Sequence, residues 1–552
     1  MGKVKFFGIL ALTAIIGFSL SSCDDADKNQ TPVAGDYIFD NLEQIAGSVT
    51  AVTITAKEDK SPGAVINVQY NGKTAVPQLP GTYTVRFNVA PAKGWNGVRL
   101  SAGNLIVEPI FNIENPNFGN NVSVHDPSIF KDDDGTYYTF GSHFAVARST
   151  NLMSWTQVAA DNQSHRLYGG ANASDSPWKT VLAAAFAHVG NGSDGNPPGS
   201  TWAPDVIKIN GKYYMYYSLS TWGSSKSYIG RVEADSVLGP YTNSVEVVKT
   251  PASNWPNAID PAVFYSNDRR LWMSYGSFWG GIYMLELETS GERMGLPKPG
   301  QGYGKRIWVE GGDTGPEGPY IFYNQNTGYY YLMVSYGSLS DTYNMRVARS
   351  ENPDGPYRDI LGREMTSTAS TGNKLAGNYK FEGASRGYAA LGHNSVLVEN
   401  GLYFVVYHTR YQNGSGGVTG NHNQFVNQLF FNSGGWPVMS PNRYAGETAR
   451  TVDRSDVAGD YDVVVHTSGS SVTFVNSVLY TLTDEGQVML NGTPSGSWEL
   501  TGSYYLRITI NSIAYNGVIV YQYNNDRGYA ELSFTGVSDQ GNSMWANKRP
   551  AN

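Results

Sequence analysis

Cysteine is almost absent, with one residue, Cys23, in a chain of 552. No internal disulfide can form, and no Cys/His spacing offers the tetrahedral set of a structural zinc. Charge is scarce too: Asp, Glu, Lys and Arg make up 16% of the chain against a usual ~25%, which excludes long charge-laced helices and coiled coils. The 39 basic residues are outnumbered by 47 acidic ones and nowhere form a block. A phosphate-neutralising surface is therefore missing, which argues against nucleic acid as a partner. No glycine-rich phosphate loop is present, and beyond Leu20 no apolar run approaches membrane length. What abounds is glycine, 63 residues, and tyrosine, 38, the composition of tightly turning β-structure with aromatic surfaces. A chain of this length exceeds the roughly 250–300 residues that one core fills, so several domains are expected.

The lone cysteine has a telling position. Lys3 and Lys5 precede an apolar run from Phe6 to Leu20, and Leu20-Ser21-Ser22-Cys23 follows. That is a basic segment, an apolar stretch too short for a bilayer, and small residues at a cut site. It resembles a bacterial lipoprotein signal. The resemblance implies that residues 1–22 are removed, that Cys23 is acylated and holds the protein to the membrane, and that Asp24, Asp25 and Asp27 direct it to the outer surface of the outer membrane. Residues 23–39 then read as a polar tether.

Period-two alternation in Thr50-Ala-Val-Thr-Ile-Thr-Ala, Ala64-Val-Ile-Asn-Val-Gln-Tyr and Gly81-Thr-Tyr-Thr-Val-Arg-Phe predicts a small β-sandwich over residues 40–110. Its wording resembles an Ig-like repeat, which implies a spacer or a weak sugar binder. Residues 451–552 alternate again and predict a separate small β-barrel or sandwich. Between them, one plan recurs five times: a polar residue opening a strand, a turn, then an aromatic strand. The openings are Val124-His-Asp-Pro, Trp202-Ala-Pro-Asp, Ile259-Asp-Pro, Pro316-Glu-Gly-Pro and Gly392-His-Asn-Ser. Repeats of this kind predict four-stranded blades, so residues 120–450 read as a five-bladed β-propeller and the fold class as all-β. A helix is expected only near Thr180 to Val189.

Equivalent positions of propeller blades converge on one end of the central axis. Asp126, Asp205, Asp260, Glu317 and His393 are those positions here. A single Asp-Pro is usually a turn cap, but several carboxylates gathered in one cavity raise one another's pKa and point to chemistry. Hydrolysis of a glycosidic bond needs such a set, one carboxyl kept protonated for the leaving oxygen and one ionised to activate water.

At this point the motifs His125-Asp126-Pro127, Trp202-Ala203-Pro204-Asp205, Asn257-Ala258-Ile259-Asp260-Pro261, Ser277-Phe278-Trp279-Gly280, Gly315-Pro316-Glu317-Gly318 and Gly392-His393-Asn394-Ser395 resemble glycoside hydrolase family 43, in particular its endo-α-1,5-L-arabinanases. The resemblance implies an inverting attack on arabinan. Asp126 is then the general base, Glu317 the general acid, and Asp260 the residue that orients the acid and tunes its pKa. It also implies sugar contacts from Gly223, Asn257, Ala258, Ile259, Ser277, Phe278 and Trp279, with Phe144 as a further cleft wall. Calcium, held through His393 and water, is the implied cofactor, although calcium prefers oxygen ligands. A histidine hydrogen-bonded beneath the site is the alternative. A monomer is expected. Two alternatives remain open in function: an exo-acting arabinofuranosidase or β-xylosidase on the same scaffold, and a non-catalytic glycan-binding surface lipoprotein.

Overall fold

The computed structural model describes residues 29–45, 49–77, 81–108, 116–119, 121–190, 200–252 and 256–550. Cys23 and the signal-like segment around it lie outside these residues. Contacts divide the chain into two compact units, with residues up to about 106 forming most of the first. In that first unit Tyr37–Asp40 pairs with Thr53–Ala56, and Glu43–Ile45, Val98–Glu108, Gly81–Val89 and Val65–Tyr70 form a four-stranded sheet in that order. Alternate residues turn inward, so Val85, Phe87 and Leu105 are buried and Tyr37 meets Phe87 edge to face.

The second unit begins with five propeller-like sheets, each antiparallel and each in chain order. Blade 1 comprises Ser128–Lys131, Tyr137–Phe140, Val146–Ser149 and Trp155–Ala159; blade 2 comprises Ser200–Ile209, Lys212–Ser220, Ser227–Ala234 and Thr242–Thr250. Blade 3 holds Ala262–Tyr265, Leu271–Tyr275, Ile282–Leu287 and Lys305–Trp308; blade 4 holds Glu317–Asn324, Tyr329–Tyr336, Asn344–Ser350 and Asn373–Ala376. Blade 5 holds Tyr388–Glu399, Leu402–Tyr411, Asn423–Phe431 and Pro437–Met439, extended by Tyr379–Lys380 and a parallel partner, Val475–Asn476. The first strand of each blade neighbours the first strand of the next, and that of blade 5 returns to blade 1, which makes a ring. Apolar and aromatic side chains fill the spaces between blades, among them Tyr216, Tyr275, Leu285 and Met273 between blades 2 and 3. Fully buried tyrosines supply much of that area.

The insertion between blades 1 and 2 is more helical than its sequence suggests. It carries His165–Tyr168, Trp178–Val181 and Ala183–Val189, short helices whose apolar faces cover the outer strands of blade 2. After blade 5 comes a closed eight-stranded barrel, completed by pairing of its first strand, Gly459–His466, with its last, Ser543–Lys548. The sequence left barrel and sandwich open, and that closing pair decides it. Barrel and blade 5 share polar contacts: Asn442 donates to Asn547 (3.0 Å), and the Thr535 hydroxyl donates to the carbonyl of Met439 (2.6 Å).

Candidate active site

In an antiparallel blade the start of strand one, the end of strand two and the start of strand three lie at the same end. The site occupies that end of the ring. Asp126 and Asp260 sit just ahead of the first strands of blades 1 and 3, while Glu317 and His393 lie in first strands beside breaks in register. Such bulges re-aim a side chain out of the pleat. The backbone helps in the same way: Asp126 (φ 57°), Asp260 (φ 58°), His393 (φ 46°), Phe278 (φ 48°) and His143 (φ 61°) all hold left-handed conformations. Backbone of this kind gathers at functional sites because it directs side chains where regular strands do not.

Asp126 is nearly buried. Its Oδ2 accepts from the Ser142 hydroxyl at 2.5 Å, and its Oδ1 lies 3.2 Å from Nε2 of His125 and 3.1 Å from Nδ1 of His393. Burial alone would raise its pKa, but His125, His393 and Ser142 outweigh it and hold the carboxyl down at about 2. Burial meanwhile depresses His125 to about 4 and lowers His393. At neutral pH the group is thus a carboxylate among uncharged imidazoles, which is the state a base needs.

The opposite wall is built to keep a proton. Burial pushes Glu317 up to about 7, and the charge of Asp126 pushes the same way; hydrogen bonds from Tyr343 and from Ser277 (2.9 Å) act against the rise. Asp260 is raised well above the ordinary carboxyl range by burial, then by the charges of Glu317 and Asp126. Two buried acids coupled in this manner titrate as a pair, each making the other harder to ionise. Asp260 Oδ2 accepts the N–H of Gly318 at 3.1 Å, so it also fixes the backbone beside Glu317. A Cβ at Gly318 would stand 3.1 Å from the His393 ring, and φ is 56° there; only glycine suits that crossing.

Between these walls lies a cavity of about 610 Å³. Of the sequence-predicted sugar contacts, Gly223, Asn257, Ile259, Ser277, Phe278 and Trp279 line it, with Asp126, Asp260, Glu317 and His393. Ala258 is fully buried behind Asn257, and its N–H donates to Thr250. Phe144 is a correction. It turns away from the cleft into the core between blade 1 and the helical insertion, with Tyr168 and Trp178 at 5.1 and 5.2 Å between ring centroids. An apolar ring gains most where other rings enclose it, and the neighbouring His143 faces the cavity instead. Asp205 is absent from the cavity wall as well. It accepts from Ser128 of blade 1 and from the N–H of Val263 in blade 3 (2.6 Å), clasping three blades.

Residues not foreseen include His143, Trp222, Thr314, Ser338, Leu339 and Tyr343, along with Trp202 as a wall of the cleft. Most belong to loops joining strands two and three, the same position that holds Ser277 to Trp279 in blade 3. That shared position is the signal by which they could have been found. Trp222 is 66% exposed at the rim and meets Trp202 edge to face, a pair suited to the C–H face of a sugar.

Two places suggest a cation. His393 has Nδ1 against Asp126, so with the ring proton there Nε2 keeps its lone pair for a ligand. One nitrogen suits calcium only if oxygen from water completes the shell. Separately, nitrogens of His125, His408 and His422 lie within 4.8 Å of one another and could hold a metal by proximity. Their hydrogen bonds leave some of these nitrogens free, since Nε2 of His125 and Nε2 of His408 are buried without a hydrogen-bond partner among the described residues. Nε2 of His422 accepts from the Arg410 guanidinium (3.1 and 2.8 Å), and Nδ1 of His408 accepts the N–H of Asp126 (3.2 Å).

Residues 116–437 match the family described as Glycosyl hydrolases family 43, and residues 441–546 match a C-terminal lipocalin-like domain. The extracellular endo-alpha-(1->5)-L-arabinanase 2 of Bacillus subtilis (strain 168) is 36% identical over 460 residues, covering 77% of this chain and 93% of its own. The extracellular endo-alpha-(1->5)-L-arabinanase of Thermotoga petrophila is 37% identical over 461 residues, covering 76% and 93%. A crystal structure of endo-1,5-alpha-L-arabinanase from Thermotoga petrophila RKU-1 superposes with a TM-score of 0.72 at 34% identity, over 79% of this chain and all of that one. The family match spans more than half of the chain, and both bacterial relatives exceed 30% identity over most of their own length, so the chain belongs to glycoside hydrolase family 43.

Proposed function

We propose that the protein is an inverting endo-hydrolase of α-1,5-linked arabinan, worked by a five-bladed propeller. Glu317 protonates the leaving oxygen, Asp126 draws a proton from the attacking water, and Asp260 holds Glu317 in place and in its protonated state. The observation that carries this reading is the split between the two acids in one cavity. One is held at about 2 and the other raised to about 7, the division of labour that glycoside hydrolysis requires. The wall of indole and phenyl rings supports a sugar ligand, and the relatives' names supply the arabinan. An open cleft with Trp222 at its rim favours attack within a chain. His393 is the proposed calcium ligand with water, and a bound cation would supply positive charge beside Asp126. Acylation at Cys23 would hold the enzyme on the outer membrane, with the N-terminal β unit, Ig-like by its sequence, as a spacer.

The test is digestion of linear arabinan with proton NMR of the fresh product. A ladder of oligosaccharides with the inverted anomer first is expected. Monosaccharide alone means exo action, a retained anomer removes the stated roles of Asp126 and Glu317, and binding without new reducing ends means a glycan-binding protein.

A second expectation follows from the coupling of Asp260 and Glu317. Asp260→Asn removes the partner acid while the hydrogen-bonding shape is kept, so the last proton on Glu317 leaves more readily. The basic limb of the kcat/KM profile should move to lower pH and kcat should fall, with the melting temperature little changed. An unmoved limb would leave Asp260 a purely structural residue.

A further inference from the structure

The active-site end of the propeller is completed by a piece of the barrel. Between the first barrel strand, which ends at His466, and Val475–Asn476, residues 467–474 leave the barrel and reach the loops that flank Glu317. The hydroxyl of Ser470 donates to Oδ2 of Asp313 at 2.8 Å and accepts from Nδ2 of Asn344 at 2.8 Å. Asp313 precedes Thr314, a cavity residue three positions before Glu317; Asn344 follows Tyr343, whose hydroxyl bonds Glu317. Ser470 therefore joins the two backbone stretches that present the acid and its hydrogen-bond donor.

The surroundings make this joint stiff. Arg346, 1% exposed, donates to both Asp313 (2.5 Å) and Oδ1 of Asn344 (2.9 Å), and its guanidinium lies over the Tyr336 ring. Lys374 donates to the carbonyl of Gly469. Asn378 donates to the carbonyls of Asp341 (2.6 Å) and Ser471 (3.1 Å), tying the barrel segment to the loop that carries Ser338 and Leu339 into the cavity. The ring of Phe474 fills the space left by Gly387, and the parallel pairing of Val475–Asn476 with Tyr379–Lys380 anchors the segment's far end.

We infer that Ser470 is a positioning residue for hydrolysis, supplied by the C-terminal barrel, which holds Tyr343 and the Asp313–Thr314 turn so that Glu317 can deliver its proton. This deepens the proposed function and rests on Glu317 as the proton donor. Glu317 faces Asp126 and Asp260 across the cavity, with Tyr343 and Ser277 at hydrogen-bonding range. Of these, the Tyr343 hydroxyl favours the ionised form, so loosening Tyr343 should raise the pKa of Glu317.

The experiment compares the full-length wild type with Ser470→Ala, Ser470→Thr, Val472→Ser and Glu317→Gln on arabinan. Ser470→Ala should lower kcat by about tenfold, the scale of a small misplacement of a catalytic group, with KM within about twofold. Its basic pH limb should move upward, opposite to Asp260→Asn. Ser470→Thr keeps a hydroxyl and should recover most of the rate; Val472, exposed on the same segment, should tolerate Ser without effect. A lower melting temperature with kcat and the limb unmoved would make Ser470 structural only and overturn the inference. If Glu317→Gln itself stays active, the reading of Glu317 fails; a dead Glu317→Gln beside an unaffected Ser470→Ala defeats this inference alone.

Discussion

Glu317→Gln should release reducing ends from arabinan about a thousandfold more slowly than the wild type while remaining folded, in line with the 10²–10⁴ that a positioned acid contributes. Glutamine fills the same space and can keep the hydrogen bond from Ser277, so circular dichroism and the melting temperature should hardly change. The discriminating measurement uses the leaving group. The nitrophenolate of a nitrophenyl arabino-oligosaccharide departs without a proton, so on that substrate the defect should shrink by orders of magnitude, and the descent of rate through pH 7 should vanish. An equal loss on both substrates would place Glu317 somewhere other than the proton-donating step.

Asp126→Asn should be as damaging, about a thousandfold, but with the opposite pattern. Water must be activated whatever group departs, so arabinan and the activated substrate should suffer alike. The acid limb set by Asp126, which lies near pH 2, should disappear with the carboxylate. Asparagine tolerates the left-handed backbone at this position nearly as well as aspartate does, and its side-chain oxygen can still accept from Ser142. Wild-type thermal stability is therefore expected, and a misfolded variant would point to a structural duty for Asp126 among His125, His393 and His408.

The blade openings were legible because each repeats a polar residue at the same place ahead of or within a strand, and that register brought Asp126, Asp260, Glu317 and His393 to one cavity. What failed to show was set by loops. Tyr343, Trp222 and His143 lie in turns between strands two and three whose residues differ from blade to blade, so only their shared position, and no repeated residue, marks them. Phe144 was misjudged by one position: consecutive left-handed residues, His143 and Phe144 (φ 68°), exchange which side chain meets the cleft. The closed barrel was hidden for another reason. Period-two alternation is the same in a barrel and a sandwich, and only the pairing of Gly459–His466 with Ser543–Lys548, distant in sequence, separates them. The contact of Ser470 with Asp313 spans 157 positions and leaves no local signature.

The left-handed backbone of Asp126, Asp260, His393, Phe278 and His143 has a meaning for anyone who would engineer this enzyme. Such conformations cost L-residues about 1–2 kcal/mol each, less for Asp and His than for Phe, while a folded protein is stable by only about 5–15 kcal/mol. Glycine at these positions would relieve that strain, and at Asp126 and Asp260 it would remove a carboxyl on which the proposed mechanism relies. A library selected for heat resistance alone would thus be drawn toward inert variants, because resilience and turnover compete for the same few residues. Selection for durability in this scaffold has to be paired with selection for hydrolysis, or directed to blade surfaces far from the cavity.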